Sequence, residues 1–131
     1  MLVLPGGRGS NMRRALLAYD GSPKADEALF VAAYLAVRWR MQLTVITIET
    51  KHTSAEAMRM AQQYLAEYEV EADFMLRQGA IGDVLLATVA DQNSDLVIMG
   101  GFGFRAVPRL VLGSTVDQML HECKKPMLIC R

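Results

Sequence analysis

The residues best suited to chemistry in this chain are glycines and hydroxyl residues close to its end. Gly100 and Gly103 are followed, after nine intervening residues, by Gly113-Ser114-Thr115. Glycine lets the main chain approach an anion closely and adopt positive φ, while serine and threonine offer hydroxyl donors at a helix start. Because the group follows the apolar run Asp95–Met99, it predicts a strand, a glycine loop and a helix N-terminus that together cradle a phosphate.

The same region lacks the groups that efficient phosphoryl transfer needs, which are a placed base, metal-binding carboxylates and a cation on the developing charge. Arg105 and Arg109 lie in the loop and could reach phosphate oxygens, although basic loop side chains usually face water. His52 and His121 are expected on a loop and at a helix end, without a catalytic role. The residues therefore predict nucleotide binding with slow or no hydrolysis and no catalytic residue. Mg²⁺ or Mn²⁺ would arrive with the nucleotide, with few protein ligands.

Composition narrows the class of protein and its expected partners. The chain has 131 residues, of which 52% are hydrophobic and 21% charged, and this predicts one soluble globular domain. Its formal net charge is zero, which argues against a nucleic-acid partner. The apolar runs are too short to cross a bilayer and the first twelve residues lack a signal-peptide core, so we expect a cytoplasmic protein without a membrane partner. Cys123 and Cys130 are expected to be buried structural thiols.

Five strand-like runs alternate with four helical patterns, and this predicts an α/β fold with a parallel sheet covered by helices on both faces. The expected strands are about 14–19, 42–49, 72–77, 96–99 and 127–130. The expected helices are about 24–39, 55–68 after the cap Thr53-Ser54, 81–91 and 114–122. Turn residues after the first strand, with Ser22 as the default cap, begin the first helix.

The first residues do not fit this alternation. We predict that residues 1–12 are a linker or the remnant strand of an upstream domain, and that residues 13–131 form the domain itself. Met1–Pro5 echoes Met127–Cys130 in sequence. If the echo is meaningful, residues 2–4 should pair against a sheet edge, across a dimer. A disordered tail is the alternative.

The order of elements, the turn Tyr19-Asp20-Gly21-Ser22, the run Asp95–Gly100 and the spaced glycines together resemble the universal stress protein family over residues 13–131. The resemblance implies an open, Rossmann-like, five-stranded parallel sheet in the order 3-2-1-4-5. The spaced glycines are similar to those of the ATP-binding branch of the family. Such a sheet binds ligands beyond the carboxyl ends of its strands, where the strand order reverses.

The resemblance also implies a role for each residue of the binding site. Asp20 would hold the ribose or the adenine edge, or serve as an Asp-Gly turn residue, and the two roles are compatible. The base would lie against Ala18 and Tyr19 and the backbone of Ile48, with Met99 near the sugar. The phosphate contacts would come from Gly100, Gly103, Gly113, Ser114 and Thr115.

The function that this resemblance implies is an ATP-binding module of stress response or regulation, with AMP or ADP as other candidate ligands. A homodimer through Met127–Cys130 is implied as well, and an apolar edge strand gives a physical reason for it. Two alternatives stay open. One is a dimeric interaction module without nucleotide, favoured if Phe102 or Phe104 fills the pocket. The other is a weak ATPase or adenylyl transferase.

Overall fold

The computed structural model of the chain describes residues 2–3, 12–101 and 114–130. Its strands are β1 Leu2–Val3, β2 Arg14–Ala18, β3 Gln42–Glu49, β4 Ala72–Gln78, β5 Leu96–Gly100 and β6 Met127–Cys130. Its helices are α1 Pro23–Arg38, α2 Ala55–Glu67, α3 Ile81–Asp91 and α4 Ser114–Glu122. The five expected strands correspond to β2–β6, and every expected strand and helix end lies within one residue of the observed one.

The strands form one sheet in the order β1-β6-β5-β2-β3-β4. Strands β2 to β6 are parallel, so the expected five-stranded order 3-2-1-4-5 is confirmed. Strand β1 adds an antiparallel pair to β6, with Leu2 opposite Leu128 and Val3 opposite Met127. The first residues therefore do pair at a sheet edge, but within their own chain rather than across a dimer.

Helices cover both faces of the sheet, as the alternation predicts. Helices α1 and α2 bury alanines and leucines against one face, where Ala15 and Leu17 of β2 also lie. Helices α3 and α4 cover the other face, to which Leu16 of β2 contributes. Successive residues of a strand point to opposite faces, so each central strand supplies both halves of the core.

Two polar contacts fix how the elements join. The Ser22 hydroxyl accepts a hydrogen bond from the Ala25 N–H at 3.2 Å, and this confirms its capping role at the start of α1. One Asp95 carboxylate oxygen accepts from the N–H groups of Arg13 and Arg14 at 3.0 and 2.9 Å. That second contact ties the start of β5 to the start of β2.

The structure also bears on the expectations about membrane-spanning helices and about the two cysteines. Of the helices in the described part of the chain, none combines the length and apolar character needed to cross a bilayer. Cys123 and Cys130 are free thiols and are half-buried rather than buried. Desolvation raises the pKa of the Cys130 thiol, and the Glu27 carboxylate adds to the rise while the Lys24 ammonium opposes it.

Candidate functional site

The strand order reverses between β2 and β5, which are neighbours in the sheet although two strands and the three helices α1 to α3 separate them in the chain. Helix α1, the element after β2, lies on one face of the sheet, and α4, the element after β5, lies on the other. Ala18 and Met99 pair at the carboxyl ends of these strands. Open α/β sheets bind ligands at such a point because the two departing segments leave a crevice there.

Asp20 lies two residues beyond the end of β2 and begins a tight turn. Its Oδ1 accepts a hydrogen bond from the Ser22 N–H at 2.9 Å, and Gly21 adopts a φ of 80°. The carboxylate is half-buried at the carboxyl edge of the sheet. The turn role of Asp20 is thus observed, and the turn leaves its carboxylate at the edge where the sequence predicts a ligand.

Tyr19 is enclosed by the protein. Its side chain is 2% exposed and packs in the core beneath α1, where its hydroxyl donates to Asp26 Oδ1 at 2.5 Å. Its carbonyl accepts from the Thr47 hydroxyl at 2.9 Å. Desolvation, with the Asp26 hydrogen bond and charge, raises the pKa of the phenol well above its ordinary value. The Tyr19 side chain therefore offers no open surface to a base, although the resemblance implied that it lies against one. Ala18 packs on the opposite face of the sheet.

Ile48, near the end of β3, has main-chain groups that point to the crevice. In β3 the even-numbered residues bond toward β2, since Gln42 N–H donates to the Arg13 carbonyl and the Ile46 carbonyl accepts from Tyr19 N–H. By the alternation of a parallel ladder, the N–H and C=O of Ile48 face the same way, past the end of β2. Among the described residues, no main-chain hydrogen bond from the 20–22 turn reaches them.

Gly100 ends β5 against the first turn of α1. A Cβ on this residue would lie 2.7 Å from both the Lys24 carbonyl carbon and the Ala25 nitrogen. Glycine is therefore required here for close packing of strand and helix, a reason that the sequence did not reveal. Met99 points to the other face and is 5% exposed. The N–H of Gly101 donates to the Cys130 carbonyl at 2.7 Å, so the chain leaves β5 tied to β6.

The phosphate side of the predicted site is only partly within the described residues. The side chain of Ser114 lies outside them, as do the following residues of the loop: Phe102, Gly103, Phe104, Arg105, Arg109 and Gly113. Thr115 is half-buried in the first turn of α4. Helix α4 is joined to α3 by a 2.8 Å hydrogen bond from Gln118 Nε2 to Asp83 Oδ1. This contact holds the middle of α4 against the first turn of α3.

Other candidate chemistry in the described chain is sparse. In residues 2–3, 12–101 and 114–130, no group of three or more His, Cys, Asp or Glu side chains is placed to hold a metal ion. His52 is exposed, and His121 makes a 2.8 Å contact from Nδ1 to the Asp117 carbonyl in the last part of α4. A broad depression beside Met41, Leu65 and Ala72 lies at the amino ends of β3 and β4, opposite the crevice.

Comparison with known proteins gives one family. The family model described as "Universal stress protein family" matches residues 11–131. A universal stress protein of Thermus aquaticus is 29% identical over 133 residues, covering 88% of this chain and 96% of the relative. One of Synechocystis is 26% identical over 121 residues, covering 90% of this chain but only 42% of its own length.

Solved structures share the fold. Universal stress protein UspA of Lactobacillus plantarum aligns with a TM-score of 0.79 at 20% identity, over 93% of this chain and 99% of that one. A universal stress protein in complex with cAMP gives 0.74 at 18% identity, over 93% and 98%. One of Archaeoglobus fulgidus in complex with dAMP gives 0.71 at 17% identity, over 92% and 98%. With its sheet order and the match over nearly its whole length, this chain belongs to the universal stress protein family.

Proposed function

We propose that the chain binds an adenine nucleotide in the crevice at the carboxyl ends of β2, β3 and β5. The observation that carries the proposal is the Asp20 carboxylate, half-buried just beyond the end of β2, at the edge toward which the alternation of the ladder directs the main-chain N–H and C=O of Ile48. An adenine ring presents a donor and acceptors along its edge, and ribose hydroxyls donate well to a carboxylate. The cAMP and dAMP complexes of two proteins with this fold lend support.

In this proposal the base lies against Ala18 and the main chain of Ile48, with Met99 near the sugar, and Asp20 accepts hydrogen bonds from the ribose or the adenine edge. Tyr19 does not contact the base in this proposal, and it contributes by holding the turn that carries Asp20. The phosphates are assigned to main-chain and hydroxyl donors, which are Gly100, Gly103, Gly113, Ser114 and Thr115. ATP is the proposed ligand, with AMP or ADP as substitutes, and Mg²⁺ or Mn²⁺ would come with the phosphates.

The proposed role is regulatory rather than catalytic, in a stress response. The described residues at the crevice offer a carboxylate and main-chain groups, and these can bind and orient a nucleotide but include no group poised to activate water. A cytoplasmic location, an unidentified regulatory protein partner and a homodimer through Met127–Cys130 belong to the same proposal. That homodimer requires β1 to leave the edge of β6.

Thermal unfolding with added nucleotide tests the binding. A ligand at one hundred times its dissociation constant adds about 2.7 kcal/mol to the free energy of unfolding. We expect ATP to raise the midpoint and GTP to raise it less, and we expect nucleotide to be extracted from the purified protein. Absence of any shift with ATP, ADP and AMP would support the interaction module without nucleotide. Sustained release of phosphate or AMP would support an enzyme.

A charge-matched pair of variants tests the role of Asp20. Asp20→Asn keeps an oxygen for the Ser22 N–H, so the turn is preserved while the charge is lost. Hydrogen bonds to charged groups contribute about 1.5 to 3 kcal/mol, so we expect the dissociation constant for AMP to rise at least about tenfold. The control is Asp73→Asn, an exposed residue at the amino end of β4. Equal affinities of the two variants by calorimetry would remove Asp20 from the site.

A further inference from the structure

The two edges of the sheet differ in chemistry. Strand β4 forms one edge and carries Asp73, Arg77 and Gln78, polar residues that discourage pairing with another chain. Strand β6 reads Met-Leu-Ile-Cys and contains no charged residue. An uncharged apolar strand of this kind needs a cover, and in this chain β1 provides it.

The cover resembles the strand that it covers. Residues 1–3 read Met-Leu-Val and residues 127–129 read Met-Leu-Ile, so Leu2 corresponds to Leu128 and Val3 to Ile129. The observed pairs are Leu2 with Leu128 and Val3 with Met127. Replacing β1 by the matching residues of a second chain would put Leu128 opposite Leu128 of that copy. The two-fold axis of the dimer then passes between the two β6 strands at Leu128, and the strands overlap along their length.

The direction of the main-chain groups supports this register. The carbonyls of Pro126 and Cys130 accept hydrogen bonds from the β5 side, from Val97 and Gly101. Even-numbered residues of β6 therefore bond toward β5, and Met127 bonds outward toward β1. It follows that Val3 and Met127 form a hydrogen-bonded pair, whereas Leu2 and Leu128 form a non-hydrogen-bonded one.

We propose that β1 is an internal cover that imitates β6 of a second copy, so that the chain associates with itself through β6 only when β1 is released. Among the described residues, β1 makes two residue pairs with β6, and the outward main-chain groups of β6 cannot bond to β1 and to a second β6 at the same time. A second β6 therefore competes with β1 for the same edge. The inference rests on the homodimer of the proposed function but not on nucleotide binding, because none of its pairs involves the crevice between β2, β3 and β5.

Val3→Pro opens the edge in the full chain, because proline lacks the N–H that this pair requires. Val3→Thr keeps the N–H and the branched side chain and serves as the control. By sedimentation equilibrium we expect the dimer dissociation constant of Val3→Pro to be at least about tenfold lower than that of the parent chain and Val3→Thr. Equal constants for all three proteins would overturn the proposal.

Cysteine pairs test the register directly, in a chain that carries Cys123→Ser and Cys130→Ser. Non-hydrogen-bonded pairs bring Cα atoms to about 4.5 Å, close enough for a disulfide. We expect Leu2→Cys with Leu128→Cys to form an intrachain disulfide and to remain a monomer at concentrations where Val3→Pro dimerises. Leu128→Cys with Val3→Pro should instead form a disulfide between two chains. The proposal would be overturned if the chain with the intrachain disulfide still dimerised, or if either disulfide failed to form. Nucleotide titration of the same proteins reports separately on the crevice.

Discussion

At the scale of single residues, Tyr19 and Asp20 have different roles in one turn. The Asp20 carboxylate lies half-buried at the carboxyl edge of the sheet, while the Tyr19 side chain points under α1 and bonds to Asp26. Adjacent residues of an extended chain face opposite ways, so a sequence that places both at a site delivers only one of the two side chains to it. Tyr19 contributes rigidity to the turn that carries Asp20.

Tyr19→Phe should change how stability depends on pH. The raised pKa of Tyr19 means that folding favours the neutral phenol, so its contribution is complete below the ordinary value of 10.0 and is lost as pH rises above it. At neutral pH the variant should lose about 1 kcal/mol, the net value of one hydrogen bond. Urea unfolding across the alkaline range should then show a smaller decline for the variant than for the parent. Parallel declines in the two proteins would contradict the assignment.

At the scale of elements, the crevice depends on how closely β5 approaches α1. Gly100 lies against the main chain of Lys24 and Ala25, which cannot move without shifting the helix. In contrast, a side chain at Gly82 of α3 would meet only the far end of the Gln118 side chain, which can rotate. The same substitution therefore has different physical consequences in the two elements.

Gly100→Ala should destabilise the protein by about 1 to 3 kcal/mol, the usual cost of overpacking. Gly82→Ala is the control, because the loss of the hydrogen bond from Gln118 to Asp83 is offset by the better helix propensity of alanine, worth about 1 kcal/mol. Chemical denaturation of both variants measures the difference. A neutral effect at Gly100 would mean that β5 and α1 are less closely packed than described.

At the scale of the whole molecule, the sheet is organised around β2, which is flanked by β5 and β3 and covered by helices on both faces. The switch in strand order at its carboxyl end creates the crevice, and the two sheet edges lie on either side of this centre. Stability should therefore decrease from the centre of the sheet outward.

Native-state hydrogen exchange should show this gradient. We expect the amides of β2 and β5 to exchange slowest, through global unfolding, and those of β4 to exchange faster through local opening. If β1 is released readily, the outward N–H of Met127 should exchange faster than its neighbours that bond toward β5. Uniform protection across all strands would contradict this picture.

Much of the fold could be predicted from the sequence alone, because period-two and helical patterns, caps and turn residues are local signals. The bounds of β3, α3, α4 and β6 are as expected, and the capping role of Ser22 is confirmed. The strand order came from a resemblance rather than from periodicity, and the solved structures of the family share it. The binding residues remain a prediction.

Tertiary structure alone decided which backbones approach one another. Nothing local marks Asp95 as the acceptor for Arg13 and Arg14, or Gly100 as a contact of α1, since these residues lie more than seventy positions from their partners. The burial of Tyr19, the outward main chain of Ile48 and the pairing of β1 with β6 arise in the same way. Periodicity records which face of an element is apolar, whereas contacts between distant segments depend on how all the elements pack together.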